Sequence, residues 1–163
     1  MSDDDRLTHQ DSVLVNAAAE AVYDLVSDVT RTGEWSPICT GCWWDDEAEA
    51  GQVGAWFTGH NETPQRTWET RSRVVAAERG REFAWTVGGD MVTWGFHLAP
   101  AEEGTVLTET WHLLPHGLEV FAERYGDRAK AEVDNRTEAA LTGIPKTLAA
   151  IKRIAESTNG GTQ

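Results

Sequence analysis

Two cysteines three positions apart form the first candidate reactive pair. Cys39 and Cys42 lie in the segment SPICTGCWWDD, residues 36–46. A structural zinc site needs two further ligands, commonly a second cysteine pair, and the sequence has only these two cysteines. A thioredoxin-type dithiol lies at a helix N-terminus, whereas this pair precedes WWDDE in a predicted strand. Regular extended backbone sends the two side chains to opposite faces, so we predict no redox or metal function; a bulge at Gly41 would leave a disulfide open.

Glu109 is the candidate for acid–base chemistry. In the segment TVLTETWHL it shares one face of a predicted strand with Leu107 and Trp111. A carboxyl group that is buried without a cationic partner has a raised pKa and can exchange a proton near neutral pH. A one-residue bulge would instead turn Glu109 outward, and pairing with an arginine or an indole N–H would give it a structural role.

The five histidines form no recognisable catalytic pattern. His60 ends a predicted strand, His97 and His112 share the face opposite Glu109, and His116 follows the last strand. The sequence contains no HExxH, GxSxG, P-loop or GxGxxG motif. We therefore expect no metal and no cofactor.

The spacing of apolar residues predicts the elements that position these side chains. A β-branched run at residues 11–15 predicts a first strand, and an apolar stripe at helical spacing predicts a helix after it. Between Cys39 and Leu114, about six segments alternate with period two between turn residues. Residues 130–157 are predicted to form one long helix. This order predicts an α+β fold, in which the long helix covers a curved antiparallel sheet of about seven strands.

The same alternation predicts an aromatic inner face of the sheet. The residues expected on this face are Trp68, Thr70, Phe83, Trp85, Trp94, Phe96, Leu107 and Trp111. Leu141 and Ile144 are expected to face them from the long helix, and Tyr125, in a less regular connecting segment, to close the mouth of the space between. Flat aromatic walls with a few polar groups suit a small apolar ligand, although such side chains can also simply fill a core.

Length and charge narrow the functions further. At 163 residues we predict a single domain over residues 11–157, between disordered tails at residues 1–10 and 158–163. The net charge of −13 disfavours binding to nucleic acid or to an anionic membrane surface. We find no signal peptide and no apolar run that could span a bilayer, so we expect a cytoplasmic monomer or homodimer without membrane insertion.

Three segments carry a resemblance to a known family. The segments AVYDLVSDVTRTGEWSP, TVLTETWHL and TLAAIKRIAE, with the strands between them, resemble the START-like (SRPBCC) superfamily over roughly residues 11–156. The sequence looks most similar to small actinobacterial members of its polyketide cyclase/dehydrase and lipid-transport group. The resemblance implies a helix-grip fold with a cavity for apolar or aromatic molecules. It implies no shared catalytic motif, because some members transform polyketides without a cofactor and others only bind or carry a ligand.

Three functions remain open. The leading hypothesis is a binding protein that holds a lipid-like or polyketide-like ligand in a tryptophan-rich cavity. The first alternative is a cofactor-free polyketide cyclase/dehydrase with Glu109 as the acid or base. The second is an interaction protein similar to the START-like activators of heat-shock chaperones. A filled interior would favour the last function, and an open cavity would favour the other two.

Overall fold

Seven antiparallel strands form a curved sheet that a long helix crosses. The computed structural model describes the backbone of residues 7–160 and the side chains of residues 7–157. The strands are β1 (Thr8–Val15), β2 (Cys39–Trp44), β3 (Trp56–Thr63), β4 (Arg66–Glu78), β5 (Glu82–Val87), β6 (Val92–Ala101) and β7 (Gly104–Leu113). Their order across the sheet is β1-β7-β6-β5-β4-β3-β2, so β1 and β2 are the two edge strands.

Three α-helices and three short 3-10 helices complete the described chain. The helices are α1 (Ala19–Val26), α2 (Pro115–Tyr125) and α3 (Ala129–Gly160), and the 3-10 helices are Val29–Glu34, Glu47–Glu49 and Gly126–Arg128. Helix α3 buries an apolar face that includes Ala140, Ile144, Leu148 and Ile151. The α+β helix-grip architecture predicted from the sequence is therefore confirmed.

Alternation along the strands divides the sheet into an inner and an outer face. In β7, Leu107, Glu109 and Trp111 are buried, whereas His112 is exposed and Thr110 is half-buried. Leu107 and Trp111 belong to the hydrophobic core, which also includes residues of α1 and α3. Successive side chains of a strand point to opposite faces of the sheet. Once one side chain of β7 is known to face α3, the facing of the others on that strand follows.

Two irregularities bend the sheet. The pairing of β2 with β3 shifts register between Cys39 and Gly41, and the pairing of β4 with β5 shifts between Val74 and Ala76. A bulge adds one residue to one strand and changes which face the following side chains occupy.

The ends of the elements differ from the sequence-based predictions. Strand β1 begins at Thr8, so the predicted tail of residues 1–10 is wrong for Thr8–Gln10, which pair with β7; residues 1–6 lie outside the described residues. Pairing with β7 provides hydrogen-bond partners for the backbone N–H and C=O groups of these residues, which in a disordered tail would bond to water. Helix α3 continues to Gly160, and residues 161–163 lie outside the described residues. The connecting segment expected to be irregular contains α2, which has Pro115 in its first turn.

Gly104, the first residue of β7, approaches the chain after β1 closely. Its φ is +142°, and an added Cβ would lie 2.1 Å from the carbonyl oxygen of Val15 and 3.0 Å from the nitrogen of Ala17. We expect Gly104→Ala to lower the free energy of unfolding by about 2–4 kcal/mol, because backbone strain adds to steric overlap. Gly51→Ala is the matched control, since Gly51 has a φ of +80° but no atom within 4 Å of an added Cβ.

Urea unfolding followed by circular dichroism measures both Gly variants. Gly51→Ala should lose only about 1 kcal/mol, the contribution of backbone conformation alone. Equal losses in the two variants would show that the approach of Gly104 to Val15 does not limit stability.

Candidate functional site

A cavity of about 270 Å³ lies between the inner face of the sheet and α3. Its walls come from β2 to β7, from the segment around the first 3-10 helix, and from α2 and α3. The volume lies near the lower end of the range for small-molecule pockets, roughly 300–1,000 Å³. The interior of the fold is therefore not completely filled by side chains.

A row of three tryptophans forms the centre of the sheet wall. Trp85 on β5 pairs with Trp94 on β6, which in turn pairs with Trp111 on β7. Directly paired residues of antiparallel strands place their side chains on the same face, so the three indoles line the cavity together. The other aromatic residues of the wall are Trp35, Phe57, Trp68, Phe83, Phe96 and Phe121.

Ring contacts hold the central indole in place. The Trp85 ring centroid lies 5.7 Å from that of Phe83, 5.8 Å from that of Phe96 and 6.0 Å from that of Phe57. These separations are those of tilted and edge-to-face aromatic pairs. The wall is thus a packed aromatic surface whose remaining free side faces the cavity.

Most of the side chains proposed from the sequence lie on the cavity wall. The residues found there are Trp68, Thr70, Phe83, Trp85, Trp94, Phe96, Glu109, Trp111 and Ile144. Leu107, Tyr125 and Leu141 are not among the lining residues.

Each of these three exceptions has a physical reason. Leu107 is fully buried, but it packs in the core beyond the cavity, where Leu98 is its partner on β6. Tyr125 packs edge-on against Phe121 with a centroid separation of 5.5 Å, and Phe121 is the residue that reaches the wall. Leu141 is 47% exposed, because α3 turns smaller residues towards the cavity. The proposed placement of these three residues on the ligand site is corrected accordingly.

Glu109 faces the cavity from β7. Its side chain is 5% exposed, and its Oε1 atom is buried without a hydrogen-bond partner among the described residues. Burial raises the pKa of the Glu109 carboxyl well above its ordinary value of 4.5. The carboxyl group therefore keeps its proton to a higher pH than an exposed glutamic acid does. In the protonated form it can donate one hydrogen bond to a molecule in the cavity.

Arg136 brings a positive charge to the cavity wall from α3. Its guanidinium carbon lies 5.7 Å from the ring centroid of Trp68 and 5.6 Å from that of Phe121. Its Nη1 atom donates to Glu132 Oε2 at 3.3 Å, and Arg66 Nη2 donates to the same oxygen at 3.3 Å. Burial and the nearby charge of Arg66 lower the pKa of Arg136. Two guanidinium groups thus share one carboxylate and leave one positive charge beside the aromatic wall.

An amide and two hydroxyl groups add polarity to the sheet wall. Asn61 is buried, and its Nδ2 atom donates to Thr70 Oγ1 at 3.2 Å. Ser72 is also a buried lining residue, on the same strand as Thr70. The cavity is therefore apolar over most of its wall, with a few fixed polar groups, which is typical of small-molecule sites.

Comparison with known proteins places this architecture in a family. The family model described as polyketide cyclase / dehydrase and lipid transport matches residues 6–148. The chain belongs to that family. The START-like membership indicated by the sequence is thereby confirmed. A comparison with curated protein sequences finds no match.

Solved structures agree with the family assignment. The polyketide-cyclase-like protein Cgl2372 from Corynebacterium glutamicum is 54% identical, with a TM-score of 0.68 over 92% of this chain and 91% of that one. The di-domain ARO/CYC protein StfQ from the steffimycin biosynthetic pathway is 18% identical, with a TM-score of 0.69 over 94% of this chain and 52% of that one. An AHSA1-like protein from Aeromonas hydrophila is 16% identical, with a TM-score of 0.61 over 93% of this chain and 94% of that one. The last two similarities show the fold alone.

The two cysteines of this family member do not lie on opposite faces, as they would in a regular strand. Both Cys39 and Cys42 line the cavity, with their Sγ atoms 3.9 Å apart. The strand is not regular here: the bulge at Gly41 that the sequence left open is present, and it turns both side chains inward.

The histidines of this family member lie away from the cavity. His60, His97 and His116 each have a carboxylate oxygen within 4 Å, from Glu62, Glu82 and Glu119 respectively. Among the described residues, no group of three or more His, Cys, Asp or Glu side chains is arranged to hold a metal ion. Within the same part of the chain, no helix is both long and apolar enough to cross a membrane.

The sequence reasoning missed several lining residues of this family member. The spacing of four residues between Glu132 and Arg136 on a predicted helix indicates an ion pair between them. The contact of Arg66 with Glu132 is tertiary and has no such signal. Ala139, Ala140 and Gly143 line the cavity but carry no large apolar side chain, so an apolar-stripe criterion does not select them.

Proposed function

We propose that this protein binds a small, largely apolar aromatic or polyketide-like molecule in the cavity between the sheet and α3. The observation that carries the proposal is the row of Trp85, Trp94 and Trp111 along one wall of a cavity of about 270 Å³. Flat indole faces favour a flat aromatic guest, since offset and edge-on aromatic contacts add to the burial of apolar surface. An open cavity favours this function over that of an interaction protein with a filled interior.

The polar groups give the ligand an orientation. Glu109, whose pKa burial raises, offers a hydrogen-bond donor to a carbonyl or hydroxyl oxygen when it is protonated. Arg136 and Arg66 share the Glu132 carboxylate, so Arg136 can also attract a phenolate, enolate or carboxylate group of the ligand. A ligand with oxygen substituents on a fused aromatic body would satisfy both groups. The description of Cgl2372 as polyketide-cyclase-like agrees with such a ligand.

Tryptophan fluorescence tests the binding proposal. Native mass spectrometry of protein purified from its own host would first identify a co-purifying compound, and titration with aromatic polyketides and fatty acids would give affinities. We expect Trp85→Ala to weaken binding by about tenfold or more, because the central indole contributes about 1.5 kcal/mol or more of contact. Trp43→Ala is the matched control, because Trp43 is 44% exposed and does not line the cavity. Equal affinities in the two variants would contradict the wall assignment.

The Oε1 atom of Glu109, which has no hydrogen-bond partner in the described part of the chain, favours a second candidate function, that of a cofactor-free cyclase or dehydrase. As an acid, Glu109 would protonate a hydroxyl group that leaves as water, and its carboxylate would then take the proton from the adjacent carbon. With a co-purified polyketide as the substrate, Glu109→Gln should keep the affinity within about threefold and lower turnover by about 100-fold or more. Unchanged turnover would remove Glu109 from the reaction and leave the binding function in place.

A further inference from the structure

The thiols of Cys39 and Cys42 converge because β2 contains an extra residue. Cys39 pairs with Asn61 on β3 and Gly41 pairs with His60, so Thr40 has no partner of its own in the register. The Sγ atoms consequently lie 3.9 Å apart on the inner face.

Gly59 lies beside both thiols. It lies on β3 as the partner of Cys42, and an added Cβ would be 3.3 Å from Cys42 Sγ and 3.5 Å from Cys39 Sγ. Both sulfurs therefore border the position of a Cβ at residue 59, on the same face of the sheet. Both cysteines are half-buried residues of the cavity wall, so a small reagent can reach them.

The two thiols differ in their surroundings. The hydrogen bond between the two sulfurs lowers the pKa of Cys39, and the nearby His60 lowers it further. The same bond raises the pKa of Cys42, and burial adds to this shift. Since the thiolate is the nucleophilic form, Cys39 is the more reactive member of the pair.

We propose that Cys39 and Cys42 form a reversible thiol–disulfide site in the cavity wall, in which a hydroperoxide oxidises Cys39 and Cys42 resolves the product. The Cys39 thiolate attacks one peroxide oxygen, the O–O bond breaks, and the hydroxide that leaves takes up a proton to become water. The Cys42 sulfur then attacks the Cys39 sulfenic acid, the S–O bond breaks, and a second water leaves with the Cys42 proton. Two thiols and one hydrogen peroxide thus give one disulfide and two waters.

Formation of the disulfide alters the cavity wall. The sulfurs must move from 3.9 Å apart to about 2 Å apart, which draws both side chains away from their present positions on the wall. The oxidation concerns only the two thiols and their strand, so it can be tested on the ligand-free protein without knowing the identity of the ligand.

Intact-mass measurement of the purified chain tests this proposal. After treatment with hydrogen peroxide, the wild-type monomer should lose the mass of two hydrogen atoms and no longer react with iodoacetamide, and dithiothreitol should restore both thiols. Cys42→Ser should stop at a sulfenic acid on Cys39 that dimedone captures. Cys39→Ser should react with peroxide about tenfold more slowly than Cys42→Ser.

Two outcomes would overturn the proposal. The first is a wild-type chain that keeps two alkylatable thiols after peroxide treatment or that forms only disulfide-linked dimers. The second is a Cys39→Ser variant that reacts as fast as Cys42→Ser. The wild-type result needs no substitution, so the proposal can be rejected even if a variant fails to fold.

Discussion

Replacing Glu109 with glutamine should make the protein more stable at neutral pH and flatten the dependence of its stability on pH. Burial raises the pKa of the carboxyl in the folded state above its ordinary value of 4.5. Between these two pKa values the unfolded chain releases the proton and the folded chain retains it. The free energy of unfolding therefore falls with rising pH, by about 1.4 kcal/mol per pH unit for this one group.

Glutamine removes this cost because it has no proton to lose. The difference in stability between Glu109→Gln and the wild type should be small near pH ~4.5 and should grow in favour of the variant as the pH rises to the raised folded-state pKa. Above that pKa the difference should stay constant. Urea unfolding at several pH values, followed by circular dichroism, measures the difference.

A second carboxylate provides the control for Glu109→Gln. Glu69 lies at an exposed position of β4, so Glu69→Gln also removes one negative charge but without removing a buried acid. A difference between Glu109→Gln and the wild type that does not change with pH would show that the Glu109 pKa is not raised by burial.

Filling the cavity from α3 should abolish ligand binding without loss of stability. Gly143 lines the cavity, and an added Cβ would meet only Pro37 Cγ, at 3.6 Å, which is an ordinary contact. The side chain introduced by Gly143→Leu therefore has free space to enter, and it would occupy volume that the ligand needs. We expect affinity for the hydrophobic probe 1-anilinonaphthalene-8-sulfonate to fall by about 100-fold, which corresponds to about 2.7 kcal/mol.

Replacing Gly143 with alanine should stabilise the helix. Glycine within a helix costs about 0.5–1 kcal/mol relative to alanine, so Gly143→Ala should raise the free energy of unfolding by about that amount and leave binding nearly unchanged. Gly143→Ala is thus the matched control for Gly143→Leu, and urea unfolding and probe fluorescence measure both. Unchanged probe affinity in Gly143→Leu would place the binding site outside this cavity.

Strand alternation predicted which face of the sheet the central tryptophans and Glu109 occupy, although it could not show that Leu107 lies beyond the cavity. Trp85, Trp94 and Trp111 lie on neighbouring strands in regular register, so period two alone places them on one face. The same argument turned Glu109 inward, and its buried position agrees with that prediction. Local sequence is informative here because the register is not interrupted between β5 and β7.

The helix side and the edge strand required tertiary information. On α3, the apolar stripe predicts Leu141 on the cavity side, yet Leu141 is exposed and the residues facing the cavity include Ala140 and Gly143. On β2, Gly41 indicated that a bulge was possible, but only the pairing with β3 shows that it forms and turns both thiols inward.

The position of this irregularity on an outer strand has a consequence for solubility. A straight, unpaired strand edge offers free N–H and C=O groups on which the strand of another molecule can be templated, leading to fibrils or sheet-to-sheet association. Strand β2 is an edge strand of only six residues, and its register is broken near its start. A short edge strand with a bulge pairs poorly with a strand of another molecule. The extra residue that brings the two thiols together therefore also disfavours aggregation through this edge.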